Sequence, residues 1–320
     1  MKKENFFKIT YVLVLLVLAS CSTSAQELPQ PQETVEITDA HGKVNVPVNP
    51  KVVIGLDSRT FETLEDWGIE LAAVPKDVMS ADSLYVKDES VVNIGNHREP
   101  NLELIASLEP DLVIIGQRFG AFYDEIKALV PNAVVIDLTI ETGDDYIKGL
   151  KEGTTTLGQI FNKEKEAQAL IGQLDEVVSQ TKKVVNQSDT VMSVVVSGAN
   201  IGFVAPSVGR VFGPIYDALG LVPALEVNNA SSDHKGDDIS VEAIAQSNPD
   251  YLFVLDRDAG VNSTEKYTPA RDVISHAPAL KNTKAIQNNN IYYAPDDTYT
   301  NESIQTIIKI FEGIKDLLSK

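Results

Sequence analysis

Three arginines, one histidine and one tyrosine occupy loops from which they could act on a single ligand. They are Arg118 in "VIIGQRF", Arg210 in "PSVGRVFG", Arg257 in "FVLDRDAG", His234 in "SSDHKGDDIS" and Tyr299 in "APDDTYTNES". The chain has six arginines against 46 acidic residues, so three gathered together would make a positive pocket in a negative protein. Guanidinium groups are planar, fixed in charge and able to bond anionic oxygens in pairs or stack on rings, so the ligand they imply is an anion. A neutral imidazole and a phenolate oxygen together suit ferric iron, which favours hard O and N donors. Two protein ligands do not fill an octahedral site, and an anionic chelator supplying four oxygens would have to complete it. Taken singly, each arginine reads equally well as a salt-bridge residue, and His234 and Tyr299 read as exposed loop residues.

The elements that must position these side chains are short apolar runs with the length of buried strands: "KVVIGL" at 51–56, "PDLVIIG" at 110–116, "NAVVIDL" at 132–138, "VMSVVVS" at 191–197, "PDYLFVLD" at 249–256 and "NIYYA" at 290–294. Helical patterns lie between them, such as "TFETLEDWG" at 60–68 and "VFGPIYDALG" at 211–220, the latter closed by Gly220. Alternating strands and helices predict an α/β fold of two lobes with mainly parallel sheets. Between the two sets of strands runs "NKEKEAQALIGQLDEVVSQTKKVVNQ", 162–187, free of proline, which predicts one long backbone helix joining the lobes. A surface helix of one larger domain is the plainer alternative.

An internal repeat supports two related lobes. "ELIASLEPDLVIIGQR" at 103–118 aligns without gaps on "EAIAQSNPDYLFVLDR" at 242–257, a constant offset of 139, with six of sixteen positions identical. Helix-turn-strand geometry accounts for the shared Pro-Asp. It does not require the shared Glu103/Glu242 at the helix starts or the shared Arg118/Arg257 beyond the strand ends. Ligands of open α/β sheets bind beyond the carboxyl ends of the strands. Facing lobes would therefore bring Arg118 and Arg257 into one cleft from opposite sides. Of the other histidines, His41 reads as a turn before an early strand, His97 as a candidate cleft residue, and His276 as a loop or helix start.

The N-terminus carries early lysines and an apolar run over 9–19, too short for a membrane span of roughly 17–25 residues and apt for a signal peptide. "LASC" then ends at Cys21, the only cysteine, so no intramolecular disulfide stabilises the exported domain. Removing residues 1–20 takes away three lysines and one glutamate and leaves 24 basic residues against 45 acidic ones, an excess of 21 negative charges that repels nucleic acid. The expected organisation is a signal peptide over 1–20, Cys21 and a flexible stalk over 21–36, an N-terminal lobe over 37–161, a connecting helix over 162–187 and a C-terminal lobe over 188–320.

"LASC", "TDAHGKVNVPVNPKVVIGLD", "NIGNHREPNLELIASLEPDLVII", the central helix and "SVEAIAQSNPDYLFVLDR" together resemble the substrate-binding lipoproteins of iron-siderophore ABC importers. The resemblance is to the class whose lobes are joined by a rigid helical backbone (class III), and within it to receptors of petrobactin and tetradentate catecholates. It covers essentially all of the chain after the stalk. It implies that Arg118, Arg210 and Arg257 hold catecholate oxygens, and that His234 and Tyr299 complete the coordination of ferric iron when the siderophore donates four oxygens. It implies further that Glu103 and Glu242 dock on a permease dimer, and that a lipidated Cys21 anchors an exported monomer to the outer face of the cell membrane. Such a protein holds no permanent cofactor, because the iron arrives within its ligand. One departure stands out: relatives often carry a glycine-rich run after the tyrosine, where this chain has "TNES".

A haem or cobalamin receptor would share the fold but have less use for three cleft arginines. A zinc or manganese receptor would need convergent histidines and carboxylates, and the four histidines are scattered. The sequence has no G-x-S-x-G, no phosphate loop and no cysteine beyond Cys21, which argues against an enzyme. An adhesin role would be a second function.

Overall fold

Each strand-like run forms a strand of a parallel sheet. The computed structural model describes residues 32–140, 145–261 and 267–320. An antiparallel hairpin, β1 (Thr34–Asp39) and β2 (Gly42–Pro47), leads into the N-terminal lobe. There β3 (Val53–Gly55), β4 (Ala73–Val74), β5 (Val92–Asn93), β6 (Leu112–Ile115) and β7 (Val134–Asp137) pair in the order β5-β4-β3-β6-β7, every neighbour parallel. The second sheet contains β8 (Thr190–Ser197), β9 (Asn200–Phe203), β10 (Val222–Pro223), β11 (Tyr251–Asp256) and β12 (Ile291–Tyr293). Its order is β10-β8-β11-β12, with β9 folded antiparallel onto β8. Strands such as β6, buried throughout, are covered by helices on both faces, which is why they read as continuous apolar runs.

In each sheet the direction of strand order reverses at one place, between β3 and β6 and between β8 and β11. Such switch points open a crevice at the carboxyl ends of the strands. Arg118 follows β6 and Arg257 follows β11, so each lies at the switch point of its sheet.

The repeat is a repeat of structure as well as of sequence. Helix Leu102–Ser107 is capped by Asn101, whose side chain accepts from the Leu104 amide, and helix Val241–Ser247 is capped by Ser240, which accepts from Ala243. Both helices stop at a left-handed residue, Glu109 (φ 46°) and Asn248 (φ 47°). The Pro-Asp then does the same work twice. The Asp111 carboxylate accepts the Lys51 and Val52 amides at 2.8 and 2.9 Å, tying down the chain entering β3, and Asp250 accepts the Thr190 amide at 2.9 Å at the start of β8. These tethers account for the shared aspartate of the repeat.

The central helix runs over Glu164–Val184, shorter than the 162–187 stretch by its frayed ends. Its Ala167 belongs to the core of the first lobe, whereas Leu174 and Val177 belong to the core of the second. Two more helices cross as well. Helix Tyr146–Ile160 places Leu150 in the second core and Leu157 and Ile160 in the first. The C-terminal helix, Ile304–Leu318, fills the second core, while its first turns bond the helix Phe61–Asp66 of the first lobe. There Gln305 Oε1 accepts from Thr63 Oγ1 at 2.8 Å, and Lys309 Nζ reaches Glu62 at 2.8 Å. The lobes are thus spliced by three helices rather than one.

Two readings change. The stalk assigned to 21–36 ends earlier, because β1 begins at Thr34 and pairs with β2 in full register. His276 ends helix Ala270–His276 instead of starting one, its Nδ1 lying 2.7 Å from the Asp272 carbonyl. The signal peptide over 1–20 and Cys21 lie outside the described residues. Among the described residues no helix is long and apolar enough to cross a membrane.

Candidate functional site

A pocket of about 470 Å³ lies between the lobes, lined by Arg118, Arg210, Arg257, His234 and Tyr299 together with His97 and Arg98. All five side chains that the sequence singled out therefore meet in one cavity. Tyr299 is its floor. The guanidinium carbons of Arg210, Arg257 and Arg118 lie 4.3, 5.1 and 5.2 Å from the centre of its ring, within the range of cation–π attraction. Arg118 and Arg210 also donate from Nη2 to the Tyr299 carbonyl at 2.8 and 3.3 Å. Tyr299 is 6 % exposed, and these arginine contacts fix its loop position.

Three guanidiniums in one pocket repel each other, and their mutual approach needs a counter-charge. Glu302, 3 % exposed and part of "TNES", supplies it. Its Oε1 accepts from Arg210 Nε at 2.9 Å and from Nη2 of the same arginine, and its Oε2 lies 3.8 Å from Arg59 Nη2. Burial alone would raise the Glu302 carboxyl, yet Arg210, Arg59 and Arg118 together hold it below the usual carboxylate range. Arg118 has no carboxylate of its own, and burial followed by the nearby Arg210 charge lowers its pKa. Its Nε and that of Arg257 are buried without a partner among the described residues. Arg257 is held sideways by Asp258 at 3.0 Å and Ser197 Oγ at 3.3 Å.

Arg210 is aimed by strained backbone. It lies between Ser207 (φ 66°) and Val211 (φ 64°), and a β-branched residue in that region costs on the order of 1–3 kcal/mol, which such binding loops commonly store.

His234 faces the same cavity from the loop 231–238. The loop is docked edge-on against β9: the Asp237 amide donates to the Phe203 carbonyl at 2.8 Å, and the Phe203 amide donates to the Asp237 carbonyl at 3.3 Å. Two glycines permit this approach. A Cβ on Gly202 would lie 1.8 Å from the Lys235 carbonyl oxygen, and one on Gly236 (φ 77°) 2.6 Å from the Phe203 carbonyl oxygen. The imidazole is about two-fifths exposed, with Asp233 Oδ2 3.7 Å from its Nδ1. Partial burial, then the charges of Arg257, Lys235 and Arg98, lower its pKa against the opposing pull of Asp233. The field that would attract an anion also keeps this imidazole neutral and able to act as a ligand.

Sequence reasoning left Glu302, Arg59 and Arg98 unassigned and gave His97 only as a candidate. Arg59 follows β3 as Arg118 follows β6, a positional signal that was available. His97 lines the pocket, its Nδ1 buried without a partner among the described residues. Glu103 and Glu242 lie in the first turns of the two repeated helices, both exposed and neither in an ion pair among the described residues. No group of three or more His, Cys, Asp or Glu side chains able to hold a metal occurs among the described residues. Any metal here would need donors from its own ligand.

Known proteins fit this geometry. The petrobactin-binding protein YclQ of Bacillus subtilis is 28% identical over 329 residues, spanning 100% of both chains. Its crystal structure superposes with a TM-score of 0.77 at 26% identity, covering 90% of this chain and 100% of that one. The ferric-anguibactin-binding protein FatB of Vibrio anguillarum is 28% identical over 308 residues, 94% of this chain and 93% of its own. The periplasmic catecholate-siderophore binding protein VctP of Vibrio cholerae matches with a TM-score of 0.76 at 28% identity, covering 89% of this chain and all of VctP. The family model described as periplasmic binding protein matches residues 53–298, which span both sheets and the first two of the three bridging helices, so the chain belongs to the periplasmic binding protein family.

Proposed function

We propose that the chain is the lipid-anchored substrate-binding component of an ABC importer, capturing a ferric catecholate siderophore between its lobes and delivering it to a permease dimer. It acts as a monomeric carrier rather than an enzyme. The observation that carries this is the convergence of three guanidiniums on Tyr299 with a neutral His234 across the same pocket. Arg118, Arg210 and Arg257 bind the catecholate oxygens, and His234 and Tyr299 occupy the two iron positions that a tetradentate siderophore leaves open. Glu103 and Glu242, exposed at matching places on the two lobes, are the permease contacts, and lipidated Cys21 holds the protein at the outer face of the membrane. The names of YclQ and VctP, a petrobactin-binding and a catecholate-siderophore binding protein, point the same way. A haem or cobalamin reading has less use for three cleft arginines.

The test is calorimetric titration with a ferric bis-catecholate, a ferric tris-catecholate and haem. Trp67, buried in the first lobe's core, makes tryptophan quenching the weaker readout. Both catecholates are expected to bind, and His234→Ala to weaken the bis-catecholate by about tenfold or more while sparing the tris-catecholate, which has no vacant iron position. Tight haem binding with no catecholate binding would overturn the proposal, and equal losses for both catecholates would remove His234 from the iron.

A further inference from the structure

The pocket's arginines are not all left for the ligand, and the carboxylates they meet differ in depth. Arg210 spends Nε and Nη2 on Glu302. Arg59, one layer behind, faces the other oxygen of Glu302 at 3.8 Å, donates to Gln117 at 3.2 Å and lies over the Tyr146 ring at 5.9 Å. Arg257 spends Nη1 on Asp258. Glu302, with a side chain 5 % exposed, is the only one of these carboxylates that faces two arginines at once. A charge so placed is screened little by salt and acts on anything bound above Tyr299.

We propose that Glu302 is a specificity-determining residue that sets the ligand charge the cleft accepts, favouring a singly negative ferric complex over a triply negative one. The inference rests on the catecholate reading above. Iron(III) held by two catecholates, each doubly negative, carries one net negative charge, and held by three it carries three. Every positive charge in the pocket therefore rewards the tris-catecholate three times as strongly as the bis-catecholate. Glu302 cancels one of those charges where cancellation counts most. Its carboxylate also clamps Arg210 in place. The two roles separate in the sign of the change in the affinity ratio: loss of the clamp frees a positive charge and moves the ratio toward the bis-catecholate, whereas loss of the carboxylate charge moves it toward the more highly charged complex.

The experiment is titration of wild-type protein and Glu302→Gln with the ferric bis- and tris-catecholates at one pH and one ionic strength. Across several ångströms of partly buried protein, each unit of ligand charge changes a binding constant by roughly tenfold. The two complexes differ by two units, so the preference for the tris-catecholate over the bis-catecholate should rise by roughly a hundredfold in Glu302→Gln, whatever happens to either affinity alone. An unchanged ratio, or one shifted toward the bis-catecholate, overturns the proposal. Should thermal unfolding show that Glu302→Gln is not folded, Asp258→Asn decides. It removes a less buried negative charge beside Arg257 and should move the ratio the same way by a smaller factor, and no movement overturns the charge argument. Wild-type protein that binds neither complex would instead sink the functional reading.

Discussion

Tyr299 shows how a residue acquires its meaning from what surrounds it. In sequence it is an aromatic loop residue; in the fold three guanidiniums surround its ring and two bond its carbonyl oxygen. The arginines, His234 and Tyr299 were legible because each follows or precedes a strand or helix whose end points at a cleft. Glu302 was not legible, because its partners Arg210 and Arg59 lie 92 and more than 240 residues away and nothing local marks a glutamate as their counter-ion. His234 offers a test through pH. Its pKa lies below the ordinary 6.5, so the imidazole remains a ligand at neutral pH and is lost as pH falls through that lowered value. Affinity for a ferric bis-catecholate should fall more steeply with acidification below about pH 6.5 than above it, and the fall should be shallower by one proton in His234→Ala, where only the oxygen donors compete with protons. Equal slopes in the two proteins would show that His234 does not titrate with binding. Arg98 and His97 share the same field, and His97 is likewise lowered, by burial and then by Arg118, so it stays neutral over the same range.

Among elements, the repeated helix-turn-strand was the part most readable from sequence, since its caps and its left-handed stop are set by nearby residues, although its Pro-Asp tethers reach strands about sixty residues upstream. Two-residue strands such as β4, β5 and β10 were not, because no periodicity can show in so short a stretch. The stop is also where the two copies differ. Asn248 tolerates the left-handed conformation, but Glu109, exposed and at φ 46°, has no such ease. Glu109→Gly should therefore raise stability by about 1 kcal/mol in urea denaturation without changing ligand affinity. Asn248→Gly should give a distinctly smaller gain. A loss of stability in Glu109→Gly would mean that the glutamate side chain contributes more than its backbone costs.

At the scale of the whole molecule, the three bridging helices tie two sheets into one cooperative body. Residues 33–320 form a single unit rather than two, and the central helix contributes to both cores within three turns. Calorimetric unfolding of a chain starting near Glu33 should show one transition whose van't Hoff and calorimetric enthalpies agree. A saturating ferric catecholate should move it upward as a whole, by about 2.7 kcal/mol at a hundredfold excess over the dissociation constant. Two separable transitions would mean that the lobes unfold independently. The same splice restricts closure to small rearrangements rather than a wide swing of the lobes.

The C-terminal helix carries this further, into the life of the chain before it is folded. Gln305 and Lys309 complete bonds to Thr63 and Glu62 that close sequence loops of more than 240 residues. The first lobe, although synthesised first, waits for the final fifteen-residue helix before its surface is sealed. Contacts of such long separation form slowly, so the seam between the lobes is expected to close late in folding.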